Sequence, residues 1–317
     1  LGFFSLNPHL SLPDAELIEA VRAAAKPAVA CFLSSFEAFA AYDRSRLEQA
    51  GIPCFCDPQD AADAVAALSG YAKASACQSQ HVQPMLTAAQ RCAVEEFLRD
   101  FPKNEQLVLP ERLSKQLLAL AGFPVSVPVV AHTAMQAADA AEAFGYPVAL
   151  KVESYVIQHK TDVGGVRLGL QDRAAVKEAF LQMDSAMKRL DPSACVTVQP
   201  MAQSGFEVML GAARLHDTPL MAAGMGGIYA EALQDIAFRL APLQEGQAER
   251  MLQSLRCAPV LNGFRTPPLD RAGVCQLLQR LSELMKAFAQ IREVDLNPCR
   301  VYENGCAILD ARIVLQL

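Results

Sequence analysis

The sequence lacks any basic tract, and its 28 Lys and Arg are outnumbered by 34 Asp and Glu, which gives a net charge of −6. Nucleic-acid-binding proteins carry Lys and Arg clustered on one face, so we expect no nucleic-acid partner. No apolar run approaches the ~18 residues that a membrane-spanning helix needs, and we expect no membrane association. The amino terminus lacks Met, a basic start and a signal cleavage site. We therefore expect a cytoplasmic protein, with further sequence upstream of Leu1 or in another chain.

The ten cysteines include no pair with the spacing of a CxxC redox motif or of a zinc site. The closest pair is Cys54 and Cys56, which one residue separates. Five others, among them Cys257 and Cys299, lie among apolar residues. This pattern is typical of small hydrophobic side chains in a reducing compartment.

Strand and helix patterns alternate over residues 1–72, which predicts a parallel α/β sheet. The predicted strands are 3–6, 27–33 and 52–55; a helix ends at Gly51 and another begins after Pro58. Three short strands are too few for a complete doubly wound sheet. We assign residues 1–75 to the end of a larger domain and residues 76–106 to a linker that contains a helix at 86–99.

The pattern over residues 107–317 predicts a second α/β domain. Hydrophobic residues make up 52% of the whole chain, which is enough for a large core. Helices are predicted at 110–121, 135–144, 174–190, 245–256 and 270–289. Strands are predicted at 125–131, 147–152, 195–200 and 206–211, and the chain closes with a hairpin over 293–317. No internal repeat is present.

A lysine inside an apolar strand and two glycine loops are the first candidates for chemistry. Burying Lys151 is costly unless its ammonium meets an anion, so it is either a phosphate ligand or a lysine that reaches the surface. The segment from His159 to Val166 contains Gly164-Gly165, whose N–H groups could cradle phosphate or form an ordinary turn. Gly224-Met225-Gly226-Gly227 is a second loop, and it matches neither a Walker A motif nor GxGxxG.

The carboxy-terminal hairpin carries polar side chains on one face. A two-residue turn at Asn304-Gly305 would set Asn297 opposite Arg312 and Asp310 opposite Cys299. Strand alternation then places four polar residues on one face: Asp295, Asn297, Asp310 and Arg312. Such oxygen ligands suit Mg²⁺, and a solvated face with an Asp–Arg pair is the alternative.

Together these segments resemble the ATP-grasp domain of the ADP-forming acyl-CoA synthetases, which are relatives of succinyl-CoA synthetase. Residues 1–72 resemble the end of the flavodoxin-like CoA-ligase domain of that family, including the stretch from Leu47 to Pro53. The stretches that carry the ATP-grasp resemblance are Ala149-Leu150-Lys151, His159 to Val166, Gln199-Pro200-Met201, Gly205 to Val208, Gly224 to Gly227, Asp235 to Pro242, Asp295 to Pro298 and Asp310-Ala311-Arg312.

The resemblance implies an α/β fold, with an ATP-grasp domain preceded by a partial flavodoxin-like parallel domain. It implies ATP or ADP with Mg²⁺ as ligands, Asn297 and Asp310 as magnesium ligands, and His159 as the residue that passes a phosphoryl group to ADP. Gln199 to Met201 would lie beside adenine, and Glu207 near the ribose and phosphates. The full implied nucleotide site is Lys151, Lys160, Gly164, Gly165, Gln199, Met201, Glu207, Gly226 and Gly227.

The implied activity is that of an acid–thiol ligase of the ADP-forming acetate–CoA type, of which this chain carries only part. CoA-binding and CoA-ligase domains would be its partners, and an oligomer stays open. The Ser-His-Thr-Gly stretch of the family has no match here, the segment from Arg214 to Leu220 departs from the family pattern, and Thr266 stands where Gly is frequent. A regulatory region of a protein lysine acetyltransferase and a non-catalytic module remain alternatives.

Overall fold

A computed structural model describes residues 14–24, 26–32, 44–76, 84–102, 106–154, 156–157, 163–227, 234–265 and 267–316. The chain divides into two compact units, residues 1–80 and 81–317. In the described part of the chain, no helix combines the length and apolarity needed to cross a membrane.

The first unit has a small parallel α/β core. Strands β1 (Ala30–Cys31) and β2 (Cys54–Phe55) pair in parallel, as the alternating pattern predicts. Its helices are α1 (Asp14–Ala24), α2 (44–49) and α3 (Pro58–Ala76). Gly51 follows α2 with a φ of 83°, which confirms the predicted helix stop. The strand predicted at 3–6 lies outside the described residues.

The smaller of two antiparallel sheets in the second unit has four strands in the order β4 (Val129–Ala131), β7 (Cys195–Pro200), β5 (Val148–Glu153) and β6 (Val166–Leu170). Helices α6 (Ala134–Phe144) and α7 (Arg173–Met187) cover one face. Strand β5 is buried along its whole length. Leu150 packs in the core under these helices, so Lys151 and Glu153 alternate to the opposite face.

The larger sheet runs in the order β10 (Ile236–Leu240), β9 (Thr218–Met225), β8 (Phe206–Leu215), β11 (Ile291–Val301), β13 (Arg312–Gln316) and β3 (Gln106–Leu109), and β12 (Cys306–Ile308) pairs with β11. The helices that pack on it or beside it are α4 (Ala88–Arg99), α5 (Glu111–Leu120), α8 (Gln247–Gln253), α9 (Ala258–Leu261) and α10 (Arg271–Ala287). This is the main hydrophobic core of the chain.

The sequence prediction missed several strands and overextended another. Strand β9 is rich in Ala and Gly, so its place in the sheet comes from pairing with β8 and β10 rather than from propensity. The strand predicted at 125–131 is formed only from Val129, because Pro128 has no N–H to donate. Val125 makes an isolated bridge to Ile308 instead.

Helix α4, which the sequence prediction placed in a linker, packs into the core of the second unit through Val94 and Leu98. The residues before it are held by the Glu283 carboxylate on α10. That carboxylate accepts hydrogen bonds from the backbone N–H groups of Met85 and Leu86 and pairs with the Arg91 guanidinium. The segment is therefore anchored at a fixed point on α10.

The carboxy-terminal hairpin has a four-residue loop where a two-residue turn was predicted. Val301 pairs with Cys306, and the Tyr302 N–H donates to the Gly305 carbonyl at 3.0 Å. Asp270, which caps the start of α10, donates its own N–H to the Tyr302 carbonyl at 2.8 Å and accepts from the Gly305 N–H at 3.0 Å. These contacts from a distant helix override the local preference for a two-residue turn.

The longer loop shifts the predicted strand pairing by two residues. Arg312 pairs with Asp295, so the predicted pairing of Arg312 with Asn297 is wrong. The pairs on either side of the gap between β12 and β13 share one register, and that register sets Asn297 opposite Asp310. The even shift leaves Asp295 and Arg312 on their predicted face, but the alternation breaks between Leu296 and Cys299, where β11 is irregular and Cys299 enters the core. The predicted pairing of Asp310 with Cys299 is also wrong, because Cys299 pairs with Ile308.

Candidate functional site

Lys151 lies where the two sheets of the second unit meet, and it is only 9% exposed. Its Nζ is 2.7 Å from Glu111 Oε1 on α5 and 3.9 Å from Asp310 Oδ2 on the larger sheet. The ammonium thus stands between a buried carboxylate and a half-exposed one. The Lys151 side chain is buried, so the alternative of a lysine that reaches the surface is not observed, and its role as a phosphate ligand stays a prediction.

Lys115, one turn after Glu111 on α5, is a second buried lysine that the sequence analysis missed. Its Nζ is 2.9 Å from Glu111 Oε1, 3.0 Å from Gln199 Oε1 and 2.8 Å from the Leu309 carbonyl. Burial, and then the nearby Lys151 charge, lowers the pKa of Lys115, while Glu111 opposes this shift. The available signal was that both charges fall on the face of α5 that also buries leucines.

The segment after β12 brings the Asp310 carboxylate close to Lys151, and the negative charge of Asp310 also acts on Asp295 on the polar face of β11. Asp310 Oδ1 accepts from the Ala311 N–H at 2.9 Å. Burial raises the pKa of the neighbouring Asp295, and the negative charges of Glu293 and Asp310 raise it further. The amide of Asn297 and the carboxylates of Asp295 and Asp310 supply oxygen donors of the type that a hard divalent cation binds. Among the described residues, no group of three or more His, Cys, Asp or Glu side chains converges on one point.

The first glycine loop lies beside Lys151 on the neighbouring strand. The Gly165 carbonyl accepts from the Val152 N–H at 2.8 Å, and Val166 pairs with Lys151. Gly164 has a φ of 71°, in the left-handed region that favours glycine. His159 and Lys160 lie outside the described residues.

Gly224 and Met225 of the predicted second glycine loop lie in β9, because they pair with β8 and β10, and only Gly226 and Gly227 follow the strand and pack against Glu207 on β8. The Gly226 N–H donates to the Glu207 carbonyl at 2.9 Å, and a Cβ on Gly226 would come within 2.7 Å of the Val208 carbonyl carbon. Glu207 Oε1 is held by Arg300 Nε at 3.1 Å and Nη2 at 2.9 Å, a partner that the sequence analysis missed. A Cβ on Gly227 would lie 2.6 Å from Glu207 Oε2. Glycine is therefore required where this loop passes the carboxylate.

Gln199 and Met201 mark the end of β7. The Gln199 side chain is buried and turned towards Lys115, which leaves only its backbone for a base. The Met201 N–H already donates to the Pro147 carbonyl at 3.1 Å. The Met201 sulfur accepts a hydrogen bond from the Gly169 N–H at 2.9 Å.

The predicted site residues fall into two groups, one on each sheet, and the described contacts bring only Asp310 of the second group close to Lys151. Lys151, the Gly164-Gly165 loop and Gln199 belong to the smaller sheet, whereas the residues on or beside the larger sheet are Glu207, Gly226, Gly227, Asn297 and Asp310. The contacts of Lys151 and Lys115 join these groups. The arrangement forms a polar junction between two antiparallel sheets.

A family model described as an ATP-grasp domain matches residues 100–315. The chain belongs to the ATP-grasp family. This chain is 33% identical over 218 residues to the β subunit of the ADP-forming acetate–CoA ligase I of Pyrococcus furiosus. The aligned region is 67% of this chain and 93% of that subunit. The family match and this ligase subunit support nucleotide binding by the chain.

Longer relatives and solved structures agree with this ATP-grasp assignment. The ADP-forming acetate–CoA ligase I of Archaeoglobus fulgidus is 34% identical over 297 residues, which are 92% of this chain and 42% of that protein. The chain thus spans less than half the length of this relative. An acetyl-CoA synthetase 1 chain of Ca. Korarchaeum cryptofilum, solved with coenzyme A and Ca-AMPCP, aligns with a TM-score of 0.65 and 31% identity over 72% of this chain and 100% of its own. The predicted ATP-grasp fold and the resemblance to ADP-forming synthetases are confirmed.

Proposed function

We propose that this chain is the nucleotide-binding portion of an ADP-forming acyl-CoA synthetase, an acid–thiol ligase. In this proposal it transfers phosphate between a phosphohistidine and ADP or ATP. The observation that carries the proposal is the buried Lys151 ammonium, which stands 3.9 Å from Asp310 across the junction of the two sheets. The relatives that match this chain are ADP-forming acyl-CoA ligases, which supports the same activity.

The proposed nucleotide lies between the sheets with its phosphates at Lys151 and the glycine loops. Gly164-Gly165 and Gly226-Gly227 offer backbone next to Lys151 and Glu207 respectively. Asn297 and Asp310 would hold Mg²⁺, with phosphate oxygens and water as its other ligands. When bound, Mg²⁺ would neutralise charge on the phosphate oxygens. A structure of the Ca. Korarchaeum cryptofilum enzyme, 29% identical with a TM-score of 0.60, contains Mg-AMPPCP.

His159 is the proposed phosphoryl carrier. In the direction of ATP synthesis the P–N bond of phosphohistidine breaks as a P–O bond to the terminal phosphate oxygen of ADP forms. The imidazole takes up a proton as it leaves, which suits a group with a pKa near neutrality. The segment that contains His159 connects β5 to β6, and its two ends adjoin Lys151.

The proposed partner is a CoA-ligase half, placed upstream in the same protein or in a separate subunit. The relatives occur both as a long chain and as a β subunit, so either arrangement has a counterpart. We therefore expect the 317-residue chain to bind ADP or ATP but to form no acyl-CoA from a carboxylic acid, ATP and CoA.

The test is incubation of the chain with γ-labelled ATP and Mg²⁺. Acid-labile, base-stable label is expected in the wild type and absent in His159→Ala. His132→Ala is the matched control, because His132 is exposed before α6 and has no place in the proposed site. Label that persists in His159→Ala would remove this residue from its proposed role. Nucleotide binding without any label would favour the regulatory alternative.

A further inference from the structure

Lys115 links three elements that meet at the junction of the sheets. Its ammonium contacts Glu111 on its own helix, Gln199 on the smaller sheet and the Leu309 carbonyl beside the larger sheet, all within 3.0 Å. An ammonium has three N–H donors and no acceptor, so these three contacts use its whole capacity. At 2% exposure it acts within the protein rather than as a ligand for phosphate.

Glu111 connects this internal link to the proposed phosphate lysine. One oxygen, Oε1, is 2.9 Å from Lys115 Nζ and 2.7 Å from Lys151 Nζ. With Asp310 included, the cluster has two ammonium and two carboxylate groups. A cation bound at Asp310 would offset that carboxylate and leave Lys151 with more positive charge to offer an anion. The metal and phosphate positions are therefore coupled through a shared charge balance.

The same lysine also fixes the chain at the proposed metal carboxylate. The Leu309 carbonyl that it holds, at 2.8 Å, belongs to the peptide group that leads directly into Asp310. Because a peptide group is planar, orienting this carbonyl also orients the Asp310 N–H and Cα. The 3.9 Å separation of Asp310 from Lys151 thus depends on a bond that Lys115 makes between the sheets.

We propose that Lys115, together with Glu111, is a positioning residue that couples phosphate binding at Lys151 to magnesium binding at Asp310. This inference rests on the proposed function. The gain in nucleotide affinity that Mg²⁺ provides requires the link from Lys115 to Gln199 and Leu309.

The experiment is calorimetric titration of the full chain with ADP, once with Mg²⁺ and once with EDTA. The measured quantity is the Kd in EDTA divided by the Kd with Mg²⁺, which is the gain in affinity that Mg²⁺ provides. Lys115→Met is expected to reduce this ratio by about 10- to 100-fold, the usual effect of removing a residue that orients a metal ligand. A purely structural lysine would lower Tm and leave the ratio unchanged.

Arg112→Met is the matched control. Arg112 Nε is 3.0 Å from Glu153 Oε1, so this pair also ties α5 to β5, one residue from Glu111, without reaching Leu309. We expect it to lower Tm and to keep the wild-type ratio. Equal loss of the ratio in Arg112→Met and Lys115→Met would overturn the inference, because loss of any contact between α5 and the smaller sheet would then have the same effect.

Glu111→Gln is the second variant, for the case in which Lys115→Met does not fold. It keeps the shape of the side chain but removes the charge that the two lysines share, and it should also reduce the ratio. An unchanged ratio in a folded Lys115→Met or Glu111→Gln overturns the inference while the proposed function stands. A wild-type chain that binds no ADP under either condition overturns the proposed function and the inference together.

Discussion

Replacement of Lys151 by Met tests whether this lysine binds nucleotide or only stabilises the fold. A charge-assisted hydrogen bond to an ionised group is worth about 1.5–3 kcal/mol, so losing the contact with phosphate should weaken ADP or ATP binding by about 10- to 150-fold. The substitution keeps the length and much of the apolar volume of the side chain. Packing around β5 should therefore change little.

The folding stability of Lys151→Met should fall only slightly. Removing one partner of a buried ion pair is costly when it leaves the other charge alone. Glu111 still has Lys115 at 2.9 Å. Asp310 is half exposed, and its nearer oxygen is as far as 3.9 Å from Lys151 Nζ, so it loses little when this lysine is removed. We expect a loss of unfolding free energy below about 1 kcal/mol, since no buried charge is left unpaired.

The assay pairs calorimetric titration of Mg-ADP with thermal unfolding of the nucleotide-free chain. Lys286→Met is the control, because Lys286 is exposed on α10. It should leave both the Kd and Tm near wild-type values. A Lys151→Met chain that unfolds at much lower temperature yet binds Mg-ADP normally would refute the reasoning.

Two further predictions concern the second glycine loop and the crowded carboxylates. Gly226→Ala should weaken nucleotide binding by about tenfold, or ~1.4 kcal/mol, because its Cβ would come within 2.7 Å of backbone that has to move. Gly70→Ala meets nothing within 4 Å and should leave nucleotide binding unchanged, which calorimetry would check; equal Kd values for the two variants would contradict the argument. Asp295→Asn should raise Tm near pH 7 in EDTA. The pKa of Asp295 is raised by folding, so the wild-type residue favours folding fully only below its unfolded pKa of about 3.9 and loses that contribution as pH rises. The gain in Tm should therefore disappear in melts near pH 3, and a gain of equal size at both pH values would count against the raised pKa.

The sequence alone predicted structure correctly where the local pattern agrees with the surroundings of the residue in the folded chain. Lys151 attracted attention because it interrupts an apolar strand, and that strand is buried along its length. Helix ends marked by glycine, such as Gly51, were also correctly placed because a positive φ is a local requirement. Strand β9 was missed because its Ala- and Gly-rich residues carry little local preference.

Tertiary contacts decide what the local pattern leaves open. The Asn304-Gly305 pair favours a two-residue turn, but Asp270 on α10 holds a four-residue loop. Glu111 and Lys115 resemble an ordinary helical ion pair in the sequence, and only the approach of the smaller sheet makes them central to the site. The face carrying Asn297 was predicted, whereas its partner across the hairpin was not.

The contacts of Glu283 limit where a truncated chain can begin. The family match begins at residue 100, but a truncation there would remove the α4 side chains Val94 and Leu98 from the core. It would also remove the Arg91 guanidinium and the two backbone N–H groups that bind the Glu283 carboxylate. A truncated chain that begins before Pro84 keeps these contacts, so we expect it to fold with a higher Tm than one that begins at residue 100.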